Sequence, residues 1–263
     1  MKPLSAPVLS VEEVRPGIFL LWAEMPEMAL EPGQFFMVGC GEETFLRRPL
    51  SVHRTAPSRL AFLFQVVGKG TAWLSRRKPG DSLDLLGPMG RGFQLDSRAR
   101  SVLLVAGGMG VAPLAFLAQR AKERGQQVTL LHGARTRERL YEPGVALDRL
   151  FHALEILPQG LVDTAFTQAG SGIQQGQVTG LLSQHLGEAD QVFACGPVEM
   201  LKAMWAMPEL KGVPVQVSLE LRLGCGFGVC LGCSVPTRNG NRLVCRDGPV
   251  FLLDEVVWEG VDL

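Results

Sequence analysis

The eleven residues Leu223 to Cys233, LGCGFGVCLGC, hold three of the chain's six cysteines and four glycines. With Cys245 the thiols are spaced C-x4-C-x2-C-x11-C, and the first three match the spacing of a plant-type [2Fe–2S] loop. A segment that wraps a cluster must turn tightly and bring backbone N–H groups close to the sulfurs. Glycines at 224, 226, 228 and 232 allow both, because they carry no Cβ and tolerate positive φ. Cys225, Cys230, Cys233 and Cys245 are therefore read as the metal ligands. A structural zinc site would more often use two C-x2-C knuckles, of which one is present, so zinc or unligated thiols are the competing readings.

The rest of the chain divides by rhythm. Up to about Asp96, short β-type runs (GIFLLWAEM, QFFMVGC, LAFLFQVVG, DSLDLLG) alternate with Pro and Gly breaks, which predicts an antiparallel β-barrel or sandwich. After about Arg98 the pattern becomes strand, helix, strand: VLLVA, PLAFLAQRAKERG, QVTLLHGA, then QVFACGP and VEMLKAMWAM. That predicts a parallel sheet covered by helices. From Val213 onward, loops and four cysteines dominate, and this piece looks too small to hold together without a metal. The expected fold class is thus α/β plus β, with a barrel over residues 1–97, a Rossmann-like unit over 98–212 and a cluster lobe over 213–263. The segment Leu154 to Gly176 carries the weakest pattern.

Composition excludes some classes of function. The 26 basic side chains balance 26 acidic ones, so neither a nucleic-acid surface nor an acidic-membrane surface is expected. The N-terminus MKPLSAPVLSVEEV lacks the basic and then apolar run of a signal peptide, which leads to the expectation of a cytoplasmic protein with reduced or metal-bound thiols. Residues Ser101 to Gln119 carry no charge for nineteen positions. Their three central glycines and Pro113 predict a buried strand, turn and helix rather than a membrane span.

An electron-carrying cluster needs a source, and Gly107-Gly108-Met109-Gly110-Val111-Ala112-Pro113 offers one. These glycines follow a strand and open a helix, so N–H groups and the helix dipole can face a pyrophosphate. The competing reading is a glycine-rich turn that binds nothing. Upstream, Arg48-Pro49-Leu50-Ser51 is placed at the end of a barrel strand, and Gly68-Lys69-Gly70-Thr71 opens a short helix. An arginine and a helix N-terminus both suit the diphosphate of a flavin dinucleotide, although Arg48 could equally be a surface charge and GKGT an ordinary turn.

In order, Arg-x-x-Ser, Gly-Pro-x-Gly-x-Gly-Phe at Gly87 to Phe93, Gly-Gly-x-Gly-x-x-Pro and Cys195-Gly196-Pro197 resemble the ferredoxin reductase superfamily over residues 1 to about 212. Val217-Ser218-Leu219-Glu220, the CGFGVCLGC loop and VCRDGPVF at Val244 to Phe251 narrow this. Essentially the whole chain resembles the electron-transfer subunit of the NAD-dependent, two-subunit dihydroorotate dehydrogenase.

The resemblance implies FAD, one [2Fe–2S] cluster and exchangeable NAD(H), and an FMN-containing catalytic subunit as partner in a heterotetramer of two of each chain. It places Arg48, Pro49, Leu50 and Ser51 on FAD, with Ser51 near the isoalloxazine and Arg48 near the phosphates, and has Gly70 and Thr71 cap the pyrophosphate. Leu63, Phe64 and Gln65 fall on a further FAD segment where a Tyr-Arg pair is commoner. Phe64 can stack there, whereas Gln65 supplies no charge. Gly107, Gly108, Gly110, Pro113, Cys195, Gly196 and Pro197 would bind the nicotinamide nucleotide, with Cys195 equally readable as a buried structural thiol.

Two further departures stand out. Gln168-Ala169-Gly170-Ser171 replaces the Asp-Asp-Gly-Ser of relatives. After the second parallel strand, His132-Gly-Ala-Arg-Thr-Arg137 carries no acid for a ribose, and Arg135 and Arg137 are either 2′-phosphate ligands or solvated loop charges. Cys40 is expected in the core. His53 and His132 lack metal-ligand spacing. No catalytic acid or base stands out, so the chemistry would belong to the cofactors. A reductase subunit of another complex, such as a sulfhydrogenase or hydrogenase, and a non-enzymatic iron–sulfur redox sensor are the alternatives.

Overall fold

The computed structural model describes residues 3–155 and 172–261. The N-terminal strands are β1 (Leu4–Arg15), β2 (Ile18–Glu24), β3 (Phe35–Val38), β4 (Arg48–Ala56), β5 (Arg59–Gln65) and β6 (Ser82–Met89), with helix α1 (Lys69–Ser75) before β6. They close in the order β1-β2-β5-β4-β3-β6, and β6 returns antiparallel to β1 with Leu4 opposite Leu85. Arg48 to Ser51 start a strand rather than end one. The sequence RLAFLFQ of β5 lacks the apolar-polar alternation of a half-exposed strand because both of its faces are covered. Leu60, Phe62 and Phe64 fill the barrel with Phe36 and Val52, while Ala61 and Leu63 join the next unit's core.

That unit is a seven-stranded sheet ordered β10-β9-β8-β7-β11-β12-β15. Its strands are β7 (Ser101–Gly107), β8 (Gln127–Ala134), β9 (Arg149–Leu154), β10 (Gly172–Gln175), β11 (Gln191–Cys195), β12 (Val215–Ser218) and, further on, β15 (Val250–Leu252). All adjacent pairs are parallel except β12 with β15. Helices α2 (Val111–Glu123), α3 (Val178–His185) and α4 (Val198–Ala206) pack on it. The uncharged run from Ser101 resolves into β7, a 3-10 turn at Gly108–Gly110 and α2, and no helix among the described residues is long and apolar enough to cross a membrane. Strand β10 arises in the weakly patterned region, and the Gln168 to Ser171 departure lies outside the described residues.

Barrel and sheet are locked together by His53 of β4. Its Nδ1 lies 3.0 Å from the Ala112 carbonyl at the start of α2, and its Nε2 lies 3.1 Å from the Tyr141 hydroxyl. Buried completely, His53 has its pKa lowered to about 3, so it stays neutral.

The C-terminal segment adds β13 (Ser234–Thr237) and β14 (Gly240–Leu243), a small hairpin. It does not stand free. Strands β12 and β15 extend the central sheet, and Cys233, Val235, Cys245 and Trp258 share one apolar cluster with Met37 and Met89 of the barrel and Leu103 and Val217 of the sheet. Trp258 Nε1 donates to the Leu253 carbonyl at 2.8 Å, which satisfies the one polar atom of that buried ring.

Candidate functional site

Two glycine turns meet at the C-terminal edge of the sheet. A β-carbon on Gly110 would fall 2.0 Å from the Cys195 carbonyl oxygen, one on Gly107 2.7 Å from Pro197 Cδ, and one on Gly196 2.9 Å from the Gly107 backbone. These glycines serve close packing of the GGMG turn against the CGP turn. Gly108 is different: it has φ +51° and nothing within 4 Å of its would-be β-carbon. Here the missing side chain leaves room for a ligand at the backbone. His132 Nε2, 3.1 Å away, donates to the Gly108 carbonyl, and burial lowers the His132 pKa to about 4 and keeps the ring neutral. The turn opens into a cleft of about 730 Å³, lined by Gly107, Gly108, Arg135, Glu155, Pro197 and Met200 among others. Gly110, Cys195 and Gly196 stand behind this lining as packing. Arg137 is not part of the cleft wall, whereas Arg139 is.

Beneath the cleft, the Cys195 thiol donates to Glu220 Oε1 at 3.4 Å. Burial, and then the neighbouring carboxylate, raise the Cys195 pKa well above its ordinary value, so it is a thiol and a hydrogen-bond donor. Glu220 keeps solvent contact as a residue, yet protein crowds its carboxyl and raises its pKa, with the Cys195 bond opposing that shift. This pair joins the CGP turn to the Val217-Ser218-Leu219-Glu220 motif.

In the barrel, Arg48 lies along the first turn of α1: a β-carbon on Gly70 would fall 2.9 Å from Arg48 Nε. Gly68 precedes the helix and accepts the first-turn bond from Ala72 N–H at 2.9 Å. The N–H groups of the first turn beside Arg48 are those a helix leaves without internal partners. Arginine and amides together suit a diphosphate. The Thr71 side chain bonds within the turn itself. Its Oγ1 accepts from the N–H groups of Val67 and Gly68 at 2.9 and 3.2 Å and donates to the Gly68 carbonyl at 3.1 Å. The hydroxyl thus shapes the turn that opens α1. Phe64 is 3% exposed and its ring stacks on Phe19 at 5.9 Å, so the ring is occupied inside the barrel. Leu63 is equally buried, and Gln65 faces the nucleotide cleft.

The thiol loop lies against β3 of the barrel. A β-carbon on Gly226, whose φ is +86°, would fall 2.5 Å from Met37 Cγ, and Met37 is the cross-strand partner of Pro49 in the Arg48 to Ser51 motif. The loop's other side is tied to the end of β6 by Arg91 N–H to the Gly248 carbonyl at 2.6 Å. Cys233 and Cys245 are buried with their sulfurs 3.3 Å apart. Cys225 pairs instead with Cys230, which is exposed. Burial raises the Cys225 pKa, but backbone N–H groups of Cys230, Phe227 and Val229 outweigh it and bring it down to about 6. Cys245 is pushed up to about 12 by burial and by Cys233. No three His, Cys, Asp or Glu among the described residues converge as one metal ion would require. Two thiol pairs, with amides aimed at sulfur, suit a cluster of two irons better than one zinc. Cys40 is buried in the barrel core, away from this set.

Comparison with known proteins finds family models over two of these regions. The family model "Iron-sulfur cluster binding domain of dihydroorotate dehydrogenase B" matches residues 220–257, and "Oxidoreductase NAD-binding domain" matches 104–205. A curated protein of Desulforamulus reducens, "Dihydroorotate dehydrogenase B (NAD(+)), electron transfer subunit", is 38% identical over 98% of this chain and 99% of its own length. A protein of the same name from Caldanaerobacter subterraneus is 36% identical over 97% and 98%. Among solved structures, an NADH-dependent reduced ferredoxin-NADP oxidoreductase, described in connection with flavin-based electron bifurcation, superposes with TM-score 0.79 at 29% identity, covering 97% of this chain and 90% of that one. The ferredoxin reductase of carbazole 1,9a-dioxygenase, at 24% identity and TM-score 0.66 over 82% of this chain and 68% of that one, shares the fold.

Proposed function

Since the chain belongs to the family of electron-transfer subunits of NAD(+)-dependent dihydroorotate dehydrogenase B, we propose that its three sites form one relay from a nicotinamide nucleotide to a partner subunit. It is an oxidoreductase component that binds an iron–sulfur cluster and a nicotinamide nucleotide and serves a catalytic partner. In this reading Gly107, Gly108 and Pro197 border the nucleotide, and Gly110, Pro113, Cys195 and Gly196 hold that border in place. Arg48 and the first turn of α1 at Gly70 hold the FAD pyrophosphate. Pro49, Leu50 and Ser51 line the flavin groove, with Leu63 and Phe64 contributing backbone and Gln65 facing the nucleotide. Bound there, FAD would supply the exchange between the two electrons of a hydride and single electrons. Cys225, Cys230, Cys233 and Cys245 ligate the [2Fe–2S] cluster. The Met37 contact between Gly226 and Pro49 supports a short path between groove and cluster.

The observation that carries the partner reading is the rim of the thiol loop. Phe227, Val229 and Leu231 are 52%, 72% and 62% exposed around the exposed Cys230. Leu231 also holds φ +59°, a backbone region that costs a branched side chain and normally favours glycine. An apolar rim kept at that cost around a ligand thiol suits docking of an electron acceptor. The partner proposed is an FMN-containing catalytic subunit, in a heterotetramer of two of each chain. It supplies the base and the orotate site. A cytoplasmic setting goes with this reading, since cluster thiols must escape oxidation.

The test is reconstitution. The isolated chain is expected to reduce dyes with NADH and to leave dihydroorotate untouched, and addition of the FMN-containing subunit creates NAD-dependent dihydroorotate oxidation. Phe227→Asp with Leu231→Asp should abolish the coupled reaction and spare dye reduction. Dihydroorotate oxidation by the chain alone, or full coupling after both substitutions, overturns the reading. Dye reduction with no turnover beside the partner would assign the chain to another complex, and failure of NADH to bleach the flavin would favour a redox sensor.

A further inference from the structure

Strands β8 and β9 run parallel with Ala134 opposite Leu154, so the next residues, Arg135 and Glu155, leave adjacent strands at the same edge of the sheet. Glu155 N–H donates to the Ala134 carbonyl at 3.2 Å, which holds its backbone beside Arg135. The Glu155 carboxylate lies 3.8 Å from Arg135 Nε, and both side chains line the nucleotide cleft that Gly107 and Gly108 enter from β7. Adjacent strands are about 4.8 Å apart. The pair therefore stands one and two strands outward from the glycine turn, where the adenosine ribose of a dinucleotide lies when its pyrophosphate sits on that turn.

Nucleotide sites of this kind usually place the ribose-reading acid directly after the second strand, where this chain has Arg135. We propose that Glu155, projecting from the third strand, takes over that task and sets NADH over NADPH. A carboxylate accepts a hydrogen bond from a ribose 2′-hydroxyl and repels a 2′-phosphate. It also partners the guanidinium that would otherwise attract the phosphate, while Arg139 adds a second cation and Glu199 a second acid to the same wall. The exposed pair contributes little to stability, so its consequence is in choice of ligand. This rests on the nucleotide-cleft reading above and names the specificity of that site.

Equilibrium binding of two redox-inert probes, ADP-ribose and 2′-phospho-ADP-ribose, to the full chain loaded with FAD and cluster tests it. The wild-type protein should favour ADP-ribose. Glu155→Gln should shift the affinity ratio toward the phosphorylated probe by about tenfold or more, and adding Arg135→Gln should cancel that gain. The ratio of kcat/KM for NADPH and NADH in dye reduction should move in the same direction. An unchanged binding ratio in Glu155→Gln, or a wild-type preference for the phosphorylated probe, overturns the assignment while leaving the cleft reading intact. If neither probe binds and NADH reduces nothing, the cleft reading itself falls and this assignment with it.

Discussion

Gly110 presses against Cys195 so closely that a β-carbon on the first would fall 2.0 Å from the carbonyl oxygen of the second. The nucleotide turn and the CGP turn are one packed unit, and neither can shift without the other. Gly110→Ala should therefore destabilise the protein by about 1–3 kcal/mol or more, since the clash is with backbone. It should also raise KM for NADH. Gly108→Ala meets no neighbour but must hold φ +51°, so its stability cost should stay near 1–2 kcal/mol, roughly the penalty of the left-handed region. Denaturant titration beside NADH kinetics separates the two, and equal stability losses would contradict this account.

The cluster prediction concerns which thiols matter. Serine at Cys225, Cys230, Cys233 or Cys245 should remove or weaken a cluster containing two irons and two sulfides per chain. Cys40→Ser and Cys195→Ser should leave iron content unchanged. Iron and sulfide analysis of anaerobically purified protein decides, and zinc in place of iron would defeat the assignment.

Arg48→Ala should weaken FAD binding by about 1.5–3 kcal/mol, the worth of a hydrogen bond to a charged group. The structure adds a second route to the same loss. Gly70→Ala would place a methyl group 2.9 Å from Arg48 Nε and push the guanidinium off the helix. FAD affinity should fall in both variants with iron content intact. Measured release of flavin on dilution, with FAD and not FMN as the species released, is the check.

His53, His132 and His152 are held neutral by burial, with pKa values lowered to about 3, 4 and 3. In the unfolded chain each titrates near 6.5. As pH falls below about 6.5 the unfolded state gains protons that the fold refuses, so stability present at pH 7 is lost progressively toward pH 4. Each histidine contributes a slope of up to about 1.4 kcal/mol per pH unit. Urea midpoints should fall between pH 6.5 and 5, before most carboxylates titrate. His53→Gln should lower overall stability and reduce that slope by about one proton, and an unchanged slope would mean His53 is not held neutral.

What could be read along the chain was whatever short-range physics encodes. Short apolar runs between Pro and Gly breaks marked β2, β3, β5 and β6; the change to strand and helix marked the parallel sheet; four cysteines at cluster spacing marked the thiol loop. Each is a local demand, since a strand, a helix or a metal loop imposes its period on adjacent residues. Tertiary structure decided everything that depends on which distant residues meet. Glu220 reaches Cys195 across 25 positions, Glu155 reaches Arg135 from the neighbouring strand, and Phe64 spends its ring on Phe19. Gly107 and Gly108 look alike in sequence, yet one packs on Pro197 and the other faces open space. No local pattern distinguishes them, because pairing across strands is fixed by register and sheet order, which the chain acquires only when the barrel and sheet close on a common core.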